Sequence, residues 1–424
     1  MKNRMAFLIA VGALALPASA QNAEWKFYGT LVPTVDNIQT TGATTDTAAS
    51  NSLVNITAAG ATNVPARNRI TYGTSNMGIR GSYKLSNDLK VIWQMESSTS
   101  LDGDAPSVLA GRNCMLGLAG DSWGQAFVGS WDTPYKIPTI QLGAIRANNP
   151  FDANLMGNPG FNVPGTVTNS GRAGTKNDAA FNRRQGNSLQ YWTPDFSGFT
   201  ARVAYSVGET KPLTDAATTA QINPTLVSAL LSYKIGGLSL FLGHEEHNDY
   251  FGLSQMLSQA PTLVGGAATL TNASSKDVGN EFVAYYTIAS TGTRITVLAE
   301  QLKYHNNDTV GANINEYKRF AWIASVQQTL GAHVIFGNYG KANVGSASKV
   351  NGTATNVTGL GATEYCIGYK YAMSKTADIF ASYYGVTNEK AATYGLFPLI
   401  GGGTAGVTPG ADTKGVGIGM LFTW

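Results

Sequence analysis

Charged residues are scarce in this chain: Asp, Glu, Lys and Arg make up only 13% of its 424 residues, about half the share that is usual in a soluble domain. Cysteine occurs twice and histidine four times, too few for a disulfide framework or for a second cluster of metal-ligating histidines. No apolar run reaches the about twenty residues that a transmembrane helix needs. These shortages argue against most soluble enzymes, a disulfide-stapled secreted domain and a helical membrane protein.

The first twenty residues have the pattern of an export signal. Lys2 and Arg4 form a positive start, Met5 to Leu16 is a short apolar run, and Ala18-Ser19-Ala20 provides small residues for cleavage. Because an uncleaved anchor needs a longer apolar run, residues 1–20 are predicted to be a signal peptide that is removed after export.

Without that segment the chain has 27 basic and 26 acidic residues. A nearly neutral balance lacks the concentrated basic face that nucleic acid requires, so no nucleic-acid partner is expected. Glycine is abundant, with 49 residues, and tyrosine is frequent, with 19. Low charge together with glycine and aromatics is typical of a membrane barrel, where half of each strand faces lipid and half faces water.

Alternation with a period of two runs along the whole chain and predicts strands with two different faces. The last segment is the clearest case, with Val416, Ile418, Met420 and Phe422 on one face and glycines between them. No linker or change of composition interrupts the pattern. Residues 21–424 are therefore predicted to form one all-β domain.

Short and long connections alternate strictly between the predicted strands. The seven short ones lie near residues 85–89, 120–124, 194–198, 235–237, 290–293, 331–332 and 373–376. The eight long ones lie near residues 38–68, 99–110, 133–186, 209–223, 247–277, 305–314, 341–361 and 386–411. This predicts a transmembrane antiparallel up-and-down β-barrel of about sixteen strands, closed because an open edge in lipid is costly.

Three segments resemble the Gram-negative general porins. They are Gly78–Glu96, whose turn is Leu85-Ser86-Asn87-Asp88-Leu89, the strand Gly111–Gly120, and Asn187–Phe199 with its Tyr191-Trp192-Thr193-Pro194. The resemblance implies a homotrimer in outer-membrane lipid that lets small polar solutes and ions diffuse passively, with no cofactor and no enzymatic activity. It also implies that the barrel-assembly machinery recognises the C-terminal aromatic, here Trp424. The alternatives are a substrate-specific outer-membrane channel and a structural or adhesin-like barrel.

By the same resemblance, the long third loop, residues 133–186, folds into the lumen and forms a constriction. Strand parity with Met77, Ile79 and Tyr83 outward places Arg80 inward, and Met115 outward places Arg112 inward. Further pore-lining candidates are Lys26 and Arg202 by parity, and Asp152, Asp178, Arg183 and Arg184 in the loop. Wall arginines facing loop carboxylates would create a transverse field, whereas the alternative is that these are ordinary solvated charges.

Two further motifs are candidate sites. His244-Glu245-Glu246-His247 lacks the helical H-E-x-x-H spacing, and on a strand its two histidines point to opposite sides, so a solvated rim rather than a metal site is predicted. Cys114 and Cys366 are both placed inward on strands that are not neighbours, so two free thiols are expected. No nucleophile and base stand together in a pattern typical of an enzyme.

Overall fold

The computed structural model describes residues 23–103, 109–142, 155–161, 179–208, 224–257, 274–307, 313–395 and 407–424. The predicted signal peptide, residues 1–20, lies outside this range. None of the helices within it is long and apolar enough to cross a membrane.

Twenty strand segments belong to a single antiparallel sheet. They are β1 Ala23–Leu31, β2 Thr34–Thr41, β3 Val64–Thr71, β4 Asn76–Ser86, β5 Leu89–Ser98, β6 Cys114–Gly120, β7 Gly124–Asp132, β8 Arg184–Trp192, β9 Phe199–Val207, β10 Thr225–Ile235, β11 Leu238–Asn248, β12 Lys276–Ile288, β13 Thr293–His305, β14 Ile314–Leu330, β15 His333–Ala342, β16 Ser346–Lys349, β17 Ala354–Thr355, β18 Ala362–Ala372, β19 Ala377–Asn388 and β20 Asp412–Thr423. The short helix α1 spans Gly252–Leu257, and 3-10 turns span Thr47–Ala49, Ala58–Gly60 and Pro134–Leu142.

These twenty segments make sixteen barrel strands over the described residues. β1 and β2 are two halves of one long strand, because β20 pairs with both of them in a single register that runs from Thr423 opposite Thr30 to Gly419 opposite Thr34. β3 and β4 are likewise two halves of the next strand, and β16 and β17 form a small hairpin within a connection. The predicted closed antiparallel barrel of about sixteen strands is confirmed.

The outer face of the barrel is apolar because alternate residues of each strand project away from the lumen. On β20, Ile418 is 61% exposed, whereas Leu421, three residues further along and on the other parity, is fully buried. Leu116 on β6 and Ile367 on β18 are similarly exposed. Large apolar side chains exposed in this alternating way are typical of a lipid-facing surface.

The seam between the first and last strands closes the barrel. The backbone groups of Gly29 and Trp424 face each other, with N–O distances of 3.4 and 3.3 Å. The Trp424 ring contacts Phe27 and Phe422. A Cβ atom at Gly29 would collide with that ring, so glycine is needed at this position for the tryptophan to lie across the seam.

All seven predicted short connections lie at one end of the barrel, here called the turn end, and the opposite ends of the strands, where the long connections begin and end, are called the loop end. The β8–β9 turn illustrates the local chemistry. Asp195 accepts a hydrogen bond from the Gly198 amide at 2.7 Å, and Gly198 has φ +92°, a conformation that favours glycine.

The parity predicted for β6 is wrong. Met115 pairs with Gln94, which is buried on the inner face, and directly opposite residues share a face. Leu116 and Leu118 are the lipid-facing residues of β6. Arg112 precedes β6, so the alternation of that strand does not determine where its side chain points.

Candidate functional site

Two basic side chains line the inner wall near the seam. Lys26 on β1 and Arg80 on β4 are direct partners in the sheet, and both are exposed. The Arg80 guanidinium lies over the Tyr28 ring, 4.8 Å from its centroid. Parity correctly places both residues on the inner face, opposite the outward Ile79.

Arg112 also contacts this wall, although it precedes β6 and is not part of a barrel strand. Its backbone amide donates to the Glu96 carbonyl at 3.0 Å, which extends the β5–β6 pairing by two residues beyond the start of β6. Its guanidinium binds the Glu96 carboxylate at 2.6 Å, and the Tyr28 hydroxyl donates to the same carboxylate at 3.0 Å. The wall arginine therefore has a carboxylate partner on the wall itself.

A second carboxylate, Asp132, lies where β7 meets the third loop. Lys136 binds it at 3.0 Å, Arg184 at 3.4 Å, and Asn113 donates to it at 2.9 Å. The Arg184 side chain is only 2% exposed, and its Nε donates to Asn113 at 2.6 Å. Glu96 and Asp132 were not among the sequence candidates, although the inward parity of Gln94 on β5 identifies Glu96.

The remaining loop candidates differ in their surroundings. Arg183 is fully buried, and its guanidinium lies 5.4 Å from the centroid of the Tyr250 ring. Asp152 and Asp178 lie outside the described residues, so the structure does not place the predicted loop carboxylates.

Three described pieces of the third loop, residues 134–142, 155–161 and 179–183, contact inner-face side chains. The most buried of these contacts surround the ion pair of Glu300 on β13 with Arg319 on β14, whose N–O distance is 2.8 Å and whose side chains are fully buried. We call this pair the loop anchor.

The loop anchor binds all of its loop partners through polar groups. Glu300 accepts from the Tyr135 hydroxyl at 2.9 Å and from the Gly157 amide at 2.7 Å. Arg319 donates to the Leu155 and Asn158 carbonyl oxygens, each at 2.8 Å. Burial, with the Glu300 carboxylate adding to it, raises the pKa of the Tyr135 hydroxyl well above its usual range. Tyr135 therefore stays protonated and remains a donor.

The last piece of the loop packs on His247. The Phe181 ring stacks on the His247 imidazole with centroids 4.3 Å apart, and the imidazole binds Glu245 at 2.9 Å. The solvated rim predicted for this motif is therefore wrong for His247, which is fully buried, whereas His244 is half-exposed on the opposite face of β11, as predicted. Within the described residues, no group of three His, Cys, Asp or Glu side chains could hold a metal ion.

Arg202 lies nearer the turn end, on β9. Its guanidinium stacks on the Trp192 ring at 4.1 Å from the centroid. Trp192 makes edge-to-face contacts with Phe127 and Trp131, with centroids 5.3 and 5.9 Å away. The sequence predicted an inward Arg202 but not this aromatic group.

The two cysteines are free, as predicted. Cys366 is buried on the inner parity of β18, between the outward Tyr365 and Ile367. Cys114 is the first residue of β6, and its Sγ lies 3.4 Å from the Glu96 amide nitrogen; its predicted inward direction stays a prediction.

The comparisons with known proteins agree with this architecture. The sequence pattern of the Gram-negative porin family matches residues 7–391. Outer membrane porin protein 32 of Delftia acidovorans is 23% identical over 354 residues, which cover 82% of this chain and 84% of that protein.

Two solved structures share the fold. An anion-selective porin from Comamonas acidovorans superimposes with a TM-score of 0.64 at 17% identity, covering 95% of this chain and 100% of that one. The trimer form of OmpT from Vibrio cholerae gives a TM-score of 0.57 at 14% identity, with 95% and 99% coverage.

A closed sixteen-stranded barrel with an apolar exterior and a charged interior matches what the family pattern and the curated relative indicate. The chain belongs to the Gram-negative porin family and forms an outer-membrane porin channel.

Proposed function

We propose that this porin is a passive, general-diffusion channel for small hydrophilic solutes and ions, and that residues 133–186 form its constriction. The observation that carries the proposal is the loop anchor. Leu155, Gly157 and Asn158 bind Glu300 and Arg319 on the inner wall of β13 and β14. Four strands, β15, β18, β19 and β20, separate β14 from β1 in the barrel, so in this proposal solutes pass between the loop and the wall of Lys26 and Arg80.

We also propose that this passage prefers anions. Glu96 and Asp132 are each bound by basic side chains, whereas Lys26 and Arg80 form no ion pair within the described part of the chain. Fixed charges on a lumen wall select ions by sign. The Comamonas acidovorans neighbour is named anion-selective, but the preference is proposed here from the charges of this chain's own wall.

The test is planar-bilayer recording of the purified protein in a KCl gradient. We expect stepwise increases in conductance and a reversal potential that indicates a preference for chloride. Added solutes should reduce the ion current to an extent that depends only on their size. The absence of conductance steps would overturn the channel constricted by the loop. A reversal potential on the potassium side would overturn the anion preference alone.

Export and assembly follow the family pattern in this proposal. Residues 1–20 are removed as a signal peptide, the mature chain assembles as a homotrimer, and the assembly machinery binds the strand that ends in Trp424. The seam contacts of Trp424 with Gly29 and Phe27 support a role for this residue in closure. Intact mass of the mature protein tests the cleavage, and a heat-sensitive oligomer in detergent gels tests the trimer.

We further propose that the protein has no enzymatic activity and needs no cofactor. A solute-flux assay tests this directly, because passive diffusion leaves the solute chemically unchanged and stops when the two concentrations are equal. Recovery of a modified solute, or accumulation against a gradient, would contradict it.

A further inference from the structure

We propose that the turn end of the lumen holds a binding site for small aromatic carboxylates, formed by Arg202 and Trp192. The inference rests on the proposed diffusion function, because it names a class of solute that binds inside the channel during diffusion. We call this site the vestibule site.

The first observation is a cavity of about 550 Å³ at this place in the lumen, within the size range of small-molecule sites. Its lining comes from β4 to β9 and from two of their turns, and includes Ser82, Ile92, Gln125, Trp192, Thr200 and Arg202. It is therefore bounded by an aromatic ring, an apolar side chain, charged groups of both signs and several hydrogen-bonding groups.

The second observation is the state of Arg202. Among the residues that the structure describes, no carboxylate forms an ion pair with it, although it is half-buried. Stacking on Trp192 at 4.1 Å holds the guanidinium plane. A guanidinium held by one face keeps its N–H groups directed sideways, which suits two-point binding of a carboxylate.

The cavity lining holds two cations, Lys90 and Arg202, and two carboxylates, Asp121 and Asp195. Asp121 lies 3.7 Å from Lys90, and Asp195 accepts the Gly198 amide hydrogen bond of the β8–β9 turn. Arg202 is therefore the cation of the lining that has no carboxylate partner among the described residues, and it is the group that would bind an anionic solute.

The third observation is a group of aromatic side chains beside Arg202 that would bind the ring of a ligand. Phe127 and Trp131 pack edge-to-face against Trp192, and Phe127 is only 2% exposed. The two tryptophans are partly exposed and form an aromatic surface beside Arg202. Aromatic pairs in such contacts contribute beyond their buried area. A ligand that carries both a ring and a carboxylate satisfies the two halves of the site together.

Single-channel recording with benzoate tests the site. We expect benzoate to reduce the chloride current in a saturable way, and acetate or benzyl alcohol at equal concentration to reduce it much less, because each lacks one half of the ligand. Equal reduction by all three, or none by benzoate, would overturn the vestibule site. Intact chloride conductance in the same records would leave the proposed diffusion function standing.

The variants are Arg202→Gln and Trp192→Leu, and each should raise the half-blocking benzoate concentration about tenfold or more, since a charge-assisted hydrogen bond or an aromatic contact is lost. Arg294→Gln is the matched control, because Arg294 also stacks on an aromatic ring, Tyr285, at 4.0 Å, but lies on β13 outside the cavity. An equal effect of Arg294→Gln would show a general loss of positive charge and overturn the proposal. If Arg202→Gln fails to assemble, the comparison of benzoate with acetate on the unmodified channel still decides.

Discussion

Replacing Arg319 with methionine should release the third loop from the wall. The substitution leaves the Glu300 carboxylate fully buried without its cation, a change that costs about 3–5 kcal/mol when one partner of a buried pair is removed. It also deletes the hydrogen bonds to the Leu155 and Asn158 carbonyl oxygens.

Part of that cost falls on loop docking and part on the barrel. The backbone pairing of β13 with β14 does not depend on the Arg319 side chain, so a substantial part of the free-energy cost should appear as weaker docking of the loop. If only about 1.4 kcal/mol falls on docking, the undocked population rises tenfold. In single-channel records we expect increased open-channel noise and a higher mean conductance than in the unmodified protein.

Arg69→Met is the matched control. Arg69 binds Asp36 at 2.6 Å in a buried pair that joins β2 to β3. Its loss should lower the temperature at which the oligomer dissociates in detergent gels but leave the channel noise unchanged. If both variants give the same noise and conductance, the Glu300–Arg319 pair does not anchor the loop.

Two further predictions concern the barrel itself. Gly29→Ala should reduce the yield of folded oligomer, because its Cβ would collide with the Trp424 ring, and it should do so more than Gly337→Ala, whose Cβ would make a tighter-than-usual contact of 3.2 Å with the Cys366 carbonyl oxygen; equal yields would show that the seam does not need glycine. Maleimide labelling should modify Cys366 only after unfolding, because this residue is 6% exposed in the folded barrel, and rapid labelling of Cys366 in the folded protein would contradict its inward, buried position.

The barrel was predictable from the sequence because its two main signals are local. Alternation along each strand shows which residues face lipid, and the strict order of short and long connections counts the strands. The hairpin of β16 and β17 was not predicted, because strands of four and two residues inside a long connection are indistinguishable from loop in a sequence.

The lumen wall was predictable only where a strand is regular. Parity gave the inner face for Lys26, Arg80 and Arg202, in agreement with the strand pairing, but it was wrong for Met115 and does not apply to Arg112, which precedes its strand. That these residues line the constriction stays a prediction. The loop anchor could not be predicted. Glu300 and Arg319 meet through the register of β13 and β14, and their partners return from residues 135–158.

The vestibule site was only partly predictable from the sequence. Inward parity of Arg202 and Trp192 was available from the sequence, and the two residues are direct partners of β8 and β9. Their stacking with Phe127 and Trp131 depends on the register between β7 and β8, which has an irregularity between Gly129 and Trp131. A shift of one residue there would turn these side chains to the other face.

The most direct test of the proposed pore is the reversal potential of three proteins in the same KCl gradient: the unmodified channel, the double variant Arg80→Ser/Arg112→Ser, and Lys303→Ser. Lys303 lies on the outer face, is half-exposed and binds Glu316 at 2.8 Å, so its charge should be screened from the lumen beyond a Debye length of about 8–10 Å. We expect the double variant to shift toward cations, because it removes one exposed charge and uncovers Glu96, and to keep or raise the conductance, whereas Lys303→Ser should match the unmodified channel. If the double variant matches the unmodified channel while Lys303→Ser shifts, the constriction does not lie along the wall of Arg80 and Arg112.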